Sequence, residues 1–337
     1  MPFHIVRQDI THMQADAIVD PTDPYLSGSG GTDAAIHDAA GPHLKDSCRS
    51  LDQCLPGQAV ITPAFNLNAK YVIHTVGPVW QNGESGEKDT LASCYRSCLH
   101  LAYAAGCQSV AFPLIAAGTF GFPKAEALSI ASGEIRSFLD THEMTVYLVV
   151  YDPQTYQISQ SLFDSITAYI DDHLRPLPKP KQNSFCAPRC QSAPKADFMP
   201  SFIGGAAPYM QADADSSLEE AISDIGETFT QTLLRLIDEK GLKDAQCYKK
   251  ANMDRRLFSK IRSDLYYQPK KATVLSLAIA LELTLDETKD LLERAGFALS
   301  PSSRSDLIVQ FFISKGNYDI FLINESLFAL GEKTLTA

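Results

Sequence analysis

Gly28, Gly30 and Gly31 sit in the stretch DAIVDPTDPYLSGSGGTDAAIHDAAG, residues 16–41. These glycines leave a loop with little side-chain bulk, so several backbone N–H groups can point one way. Residues 32–40, rich in alanine, read as a helix, and a helix N-terminus carries about half a positive charge. Free amides and that partial charge together make an anion site that suits a diphosphate. A tight turn in an α/β core would use the same residues. A second stretch, SVAFPLIAAGTFGFP, residues 109–123, repeats the arrangement. An apolar run leads into the small loop Ala116-Ala117-Gly118-Thr119-Phe120-Gly121, and Pro123 suits the first turn of a following helix. Two such loops at the ends of parallel strands can enclose one ligand from both sides, with Phe120 and Phe122 offering aromatic faces. Neither loop is followed by G-K-[ST], and neither has G-x-G-x-x-G spacing, so phosphate binding of the P-loop or dinucleotide kind is excluded.

The elements that must position these loops can be read from apolar period. Residues 3–6, 16–19, 57–65, 70–76, 110–115 and 145–151 read as strands, the last so apolar that both faces are expected to be covered. The run 20–23, with Pro21 and Pro24 interleaved, is expected to end the second strand. Helices are expected at 89–105, where Leu91, Tyr95, Leu99 and Ala102 repeat at helical spacing, at 124–139, and at 159–174, closing the unit. Alternating strands and helices predict a three-layer α/β sandwich with a mixed, largely parallel sheet. Within it His74 reads as a packed core histidine, and Cys94, Cys98 and Cys107 as small core residues.

These pieces resemble the macrodomain, the ADP-ribose-binding module, over residues 1–173. The matching motifs are Gln8-Asp9-Ile10-Thr11, Asp16-Ala17-Ile18-Val19, Gly28-Ser29-Gly30-Gly31-Thr32-Asp33-Ala34-Ala35-Ile36-His37, Tyr71 to Pro78, and Gly118-Thr119-Phe120-Gly121, all in family order. The resemblance implies that Asp9, beside Ile10, hydrogen-bonds the adenine amino group and that Tyr151, with Asp152 next to it, stacks on adenine. It implies that Gly28, Gly30, Gly31, Thr32, Ala117, Gly118, Thr119 and Phe120 bind the ligand. Asp33 stands where active hydrolases of the family carry their catalytic aspartate, able to align or deprotonate a water; a helix-starting aspartate favoured by the dipole is the plainer reading. His37, one turn later, is expected to be structural.

One position departs from the family. Where its active members carry N-A-A-N, this chain has Asp20-Pro21-Thr22-Asp23. The last Asn of that motif contacts the distal ribose. Asp23 in its place accepts hydrogen bonds but cannot donate them as an amide does, and it sets negative charge near a diphosphate. The implied activities are removal of ADP-ribose from a modified protein or deacetylation of O-acetyl-ADP-ribose, or, without turnover, sensing of ADP-ribose. No residue pattern requires a metal or an organic cofactor.

The second half of the chain differs. Residues 174–216 carry seven prolines among Ser, Ala, Gly and Gln and read as a linker. Its Cys186 and Cys190 have no second pair near them in sequence. Residues 217–337 read as an all-helical bundle, with helices at 227–240, 243–251, 254–263, 273–282, 286–294, 303–314 and 318–330. The run P-x-x-x-T-x-x-x-L-A-x-A-L-x-L-T-L-D-E, residues 269–287, resembles the lambda-repressor-like helix-turn-helix family. That resemblance implies DNA contact through Arg255, Arg256, Lys260 and Arg262. Residues 240–271 hold ten Lys or Arg against three Asp, but residues from 218 onward hold sixteen basic against eighteen acidic. Such a face could contact phosphates, remain solvated, or dock another protein. The whole chain, at net charge −11, is not a general nucleic-acid binder. No apolar run approaches the roughly 18 residues that span a bilayer, so no membrane partner and a cytoplasmic location are expected.

Overall fold

A computed structural model of the chain describes residues 2–150, 160–174 and 227–335. A six-stranded sheet carries the first part: β1 (Phe3–Val6), β2 (Ala17–Pro21), β3 (Ala59–Pro63), β4 (Tyr71–Thr75), β5 (Ser109–Pro113) and β6 (Thr145–Val149), in spatial order β1-β6-β5-β2-β4-β3. Every described pairing is parallel except β3 with β4. α1 (Gly31–Ala40) and α2 (Pro42–Arg49) cover one face, α3 (Glu87–Ala104) and α4 (Lys124–Thr141) the other.

Both faces are apolar because side chains alternate along each strand. Ala17 and Val19 point toward α3 and α4, while Ile18, between them, points toward α1. That double burial explains the continuous apolar runs.

Two elements differ from the sequence expectation. β2 continues through Asp20 and Pro21, paired with His74 and Thr75 of β4. The proline is tolerated because Thr22 N–H bonds Thr75 O at 2.9 Å, so a donor at position 21 would face the opposite neighbour. That neighbour, β5, pairs with β2 only at Ala17 and Ile18, and no ladder acceptor waits there. α2 was not expected: of its residues only Leu44 and Cys48 are buried, too few for a visible apolar period.

α5 (Gln160–His173) is followed among the described residues by α6 (Phe229–Glu239), α7 (Asp244–Lys250), α8 (Arg255–Ser263), α9 (Lys271–Ala280), α10 (Leu285–Arg294), α11 (Arg304–Ser314) and α12 (Ile320–Ala329). Their boundaries lie within two residues of the expected ones, because cap chemistry marks the ends. Thr228 with Gln231 and Thr284 with Glu287 form capping boxes. The helix expected to close the sandwich goes elsewhere: Ile166 and Ile170 of α5 join the core of the helical bundle, and Tyr169 meets Phe311 with ring centroids 5.5 Å apart. No described helix is long and apolar enough to cross a membrane.

The bundle is fastened to the outer strand of the sheet. Asn252, in the turn between α7 and α8, accepts from Phe3 N and donates to Phe3 O, both at 2.7 Å. Its amide therefore supplies the pairing that an edge strand lacks, and its φ of 50° is one that asparagine adopts more readily than most residues. Arg136 of α4 adds an ion pair to Glu325 and stacks over Phe321 at 4.2 Å. Asn252→Gly keeps the left-handed backbone and deletes both hydrogen bonds. Its urea unfolding midpoint should fall, by about 1–3 kcal/mol in stability; an unchanged midpoint would show that the amide clamp contributes nothing.

Candidate functional site

Parallel neighbours β2 and β5 send both small-residue loops off the same end of the sheet. Gly30, Gly31 and Thr32 of the first and Ala116, Gly118, Thr119 and Phe120 of the second line one cleft of about 240 Å³, with Pro21, Gly77 and Leu114. α1 starts at Gly31, so its first amides lie at the cleft wall. Gly28 is demanded twice over. Its φ is +69°, and a Cβ there would come within 2.9 Å of His37 Cγ. The second loop stores strain: Ala116 holds φ at +60° without being glycine. It is pinned by Phe122 N to Ala116 O at 3.0 Å and by Trp80 N to Phe120 O at 2.8 Å.

Asp23 is absorbed by its own loop. Its carboxylate accepts from Tyr25 N at 2.7 Å, from Ser29 Oγ at 3.0 Å and from Ser27 Oγ. Partial burial pushes its pKa up, but these donors outweigh burial and hold it below the usual carboxylate range. It shapes the turn that leads into the glycines.

Asp33 is buried, 4% exposed, in the first turn of α1. Its Oδ2 accepts from Ser29 N at 2.9 Å, tying the helix to the glycine loop. Beside it lies Asp20, fully buried at the end of β2. Asp20 Oδ2 meets His74 Nδ1 at 2.8 Å, and His74 Nε2 meets Thr62 Oγ1 at 2.9 Å. His37 Nε2 stands 3.4 Å from Asp33 Oδ1 and 3.8 Å from Asp20 Oδ2.

Burial first, and proximity to a second carboxylate next, push Asp33 up to about 7. Burial likewise raises Asp20 to about 7. Two carboxyls this close and this dry hold a proton between them near neutrality. Burial also drives His74 down to about 4 and lowers His37, so both rings are neutral.

Of the residues expected from sequence, Gly30, Gly31, Thr32, Gly118, Thr119 and Phe120 line the one cleft; Asp33, tied to Ser29 N, and Gly28, against His37, adjoin the first loop behind it, and Ala117 sits in the second. Sequence reasoning expected His74 in the core, where it is. It missed Asp20 as Asp33's neighbour; the available signal was an acid ending a strand buried on both faces. Asp9 and Ile10 follow β1. Asp9 caps a short 3-10 turn (Ile10–His12), accepting from Thr11 N at 2.9 Å and Thr11 Oγ1 at 2.8 Å, and Ile10 is buried. Neither is among the described residues that line the 240 Å³ cleft. Tyr151 lies outside the described residues.

Of the basic residues, Arg255 reaches Glu143 after α4 at 3.6 Å and Arg262 pairs with Asp244. Lys260 stands over the Tyr267 ring at 5.6 Å, and Arg256 is exposed. With Tyr248 Oη bonded to Glu143 and Lys249 Nζ to Asp140 O, part of the basic face docks within the chain.

Residues 19–131 match the family model described as Macro domain. A Macro domain-containing protein of Methanosarcina mazei is 49% identical over 150 residues, 44% of this chain and 80% of the relative. A protein of Enterobacter sp. named O-acetyl-ADP-ribose deacetylase is 48% identical over 164 residues, 47% of this chain and 91% of the relative. Among solved structures, an Oceanobacillus iheyensis macrodomain with MES bound is 34% identical, with a TM-score of 0.45, covering 49% of this chain and 91% of that one.

The carboxyl pair has a consequence for stability. Between about pH 4 and 7 the folded chain keeps a proton that the unfolded chain has released, so this pair's contribution to stability falls as pH rises through that window. His74, with its pKa lowered, contributes the opposite slope below pH 6.5. The double variant Asp20→Asn/Asp33→Asn removes the first effect and leaves the second. Measured by urea unfolding in chelator-treated buffer, the variant should gain on the wild type from pH 5 to pH 7, by up to about 1.4 kcal/mol per pH unit for one proton. Parallel pH curves would show that the pair shares no proton.

Proposed function

The chain belongs to the macro domain family, and on that premise we propose that its cleft binds ADP-ribose and that the chain hydrolyses the ester of O-acetyl-ADP-ribose. One observation carries this reading: Gly30 and Gly118 line the same cleft at the N-terminus of α1. A diphosphate accepts hydrogen bonds from exposed amides there, and the helix end favours its charge. The identity to a relative named O-acetyl-ADP-ribose deacetylase, across 91% of that relative's length, supports the reaction class.

Asp33 is the residue for the chemistry. Ser29 N holds one carboxylate oxygen, which fixes the side chain, while among the described residues Oδ1 accepts from no N–H or O–H beyond the proton shared with Asp20. That oxygen takes the proton of a water as the water adds to the acetyl carbon. The C–O bond to the ribose oxygen then breaks, and the proton passes to the leaving oxygen, giving acetate and ADP-ribose. A proton affinity raised by burial suits a base working near neutral pH. Holding the diphosphate rigidly positions the ester against it. Asp23, its oxygens engaged by Ser27, Ser29 and Tyr25, acts by shaping the loop.

Calorimetric titration with ADP-ribose, paired with acetate release from O-acetyl-ADP-ribose, tests both parts. Asp33→Ala should lower turnover by about 10²–10⁴-fold and leave ADP-ribose binding within a few-fold. Binding without acetate release by the wild type would sink the hydrolase assignment. Gly118 has ordinary φ, and a Cβ there meets nothing within 4 Å, so Gly118→Val fills the cleft without straining the backbone. It should weaken ADP-ribose at least tenfold, about 1.4 kcal/mol; unchanged affinity would put the ligand elsewhere.

A further inference from the structure

We propose that Asp20, Asp33 and His37 form a site for a divalent metal ion of the zinc type, buried between β2 and α1 beneath the glycine loop. One donor atom from each residue lies within 4.8 Å of the others. His37 Nε2 is 3.4 Å from Asp33 Oδ1 and 3.8 Å from Asp20 Oδ2. Two ligand atoms about 2.1 Å from a metal at tetrahedral angles stand about 3.4 Å apart, so the spacing already admits an ion.

The second observation is the lack of protein partners. Among the described residues, Asp20 Oδ1, Asp33 Oδ1 and both ring nitrogens of His37 are buried with no hydrogen-bond partner beyond the proton the two carboxyls share, and the His37 side chain is only 8% exposed. Buried polar atoms are normally satisfied; His37 Nε2 faces both carboxyls while Nδ1 lies toward Gly28, so Nε2 is the nitrogen a metal would take. Two buried carboxyls and two imidazoles meet here, and among the described residues no Lys or Arg is bonded to them. A doubly charged cation answers that need more fully than a shared proton.

The supports around the three ligands suit a metal site. His74 holds Asp20, Thr62 holds His74, and Ser29 N holds Asp33, at 2.8, 2.9 and 2.9 Å. Such outer contacts orient ligands and contribute to affinity. One imidazole with two carboxylates favours zinc over magnesium, which keeps its waters and prefers all-oxygen octahedral sites. A rival set, His37, Cys48 and His74, also clusters, but both nitrogens of His74 are already engaged by Asp20 and Thr62. The ligands come from β2 and α1, at a spacing that resembles no metal motif, so only the folded chain can assemble them.

The site goes beyond the proposed hydrolase function: zinc on Asp33 Oδ1 takes the oxygen that serves as base, so hydrolysis belongs to the zinc-free chain, and zinc binding is read without nucleotide or turnover. Full-length protein is stripped with chelator, reloaded with Zn²⁺, desalted and assayed for metal content. Thermal melts follow Zn²⁺ addition, and Co²⁺ serves as a visible-absorption probe. One zinc per chain is expected, with a melting midpoint that rises with zinc because the ion binds the folded state. Asp20→Asn and His37→Gln should each weaken zinc at least about 100-fold, no less than an outer-shell loss costs, while Cys48→Ser keeps it. Wild-type protein that retains no zinc overturns the proposal, as does zinc retained equally by Asp20→Asn. Zinc lost only in Cys48→Ser overturns the ligand set. ADP-ribose titration of the zinc-free protein reports on the cleft separately.

Discussion

Parallel pairing of β2 with β5 is the constraint from which the site follows. In register Ala17 opposite Val110, both strands must leave the sheet at the same end. Whatever loops they carry are then neighbours, although about ninety residues separate them in sequence. The small residues decide what that adjacency is worth. Gly30 and Gly118 leave the cleft open, with no atom within 4 Å of where a Cβ would stand. Bulkier residues would have filled the same space with protein.

Below the cleft the governing term is electrostatic. Asp20 and Asp33 occupy a dry compartment with His37 and His74, and burial works on every one of them in the direction of neutrality. Acids rise and imidazoles fall because water is the solvent that charge has lost. His74 escapes strain by holding Asp20 and Thr62 together. Asp20 Oδ1, Asp33 Oδ1 and the ring nitrogens of His37 are among the buried polar atoms left unmatched in the described residues. Reactivity and ligand binding concentrate where the fold leaves polar groups unsatisfied.

The helical bundle obeys a different economy. Its own core is apolar, but its junction with the sheet is polar and directional. An amide side chain completes an edge strand, Arg136 reaches Glu325, and Lys249, Tyr248 and Arg255 converge on the end of α4. Side chains that look like a nucleic-acid face from charge counting are partly spent inside the molecule. Sequence cannot show this, because a cation's partner is set by distance in space.

Local order was legible because local forces write it. Strand period, capping pairs such as Thr284 with Glu287, and glycine placement located nearly every element to within a few residues, and the motifs around Gly28–His37 pointed to the ligand loops. Legibility failed where the cause lay across the fold. α2 buries too few residues to leave a period. Pro21 stays in its strand only because β5 has already diverged. α5 turns its apolar stripe to the bundle instead of the sheet, and its sequence pattern would be the same either way. In the chain Asp20 only opens the run Asp20-Pro21-Thr22-Asp23; in three dimensions it is half of a carboxyl pair. Apolar spacing, turn chemistry and caps depend on residues within a few positions of each other, so the sequence by itself determined the elements and both loops. Proton affinity, metal-ligand spacing and docking depend on which distant residues exclude water from one another, and only the tertiary structure decided those.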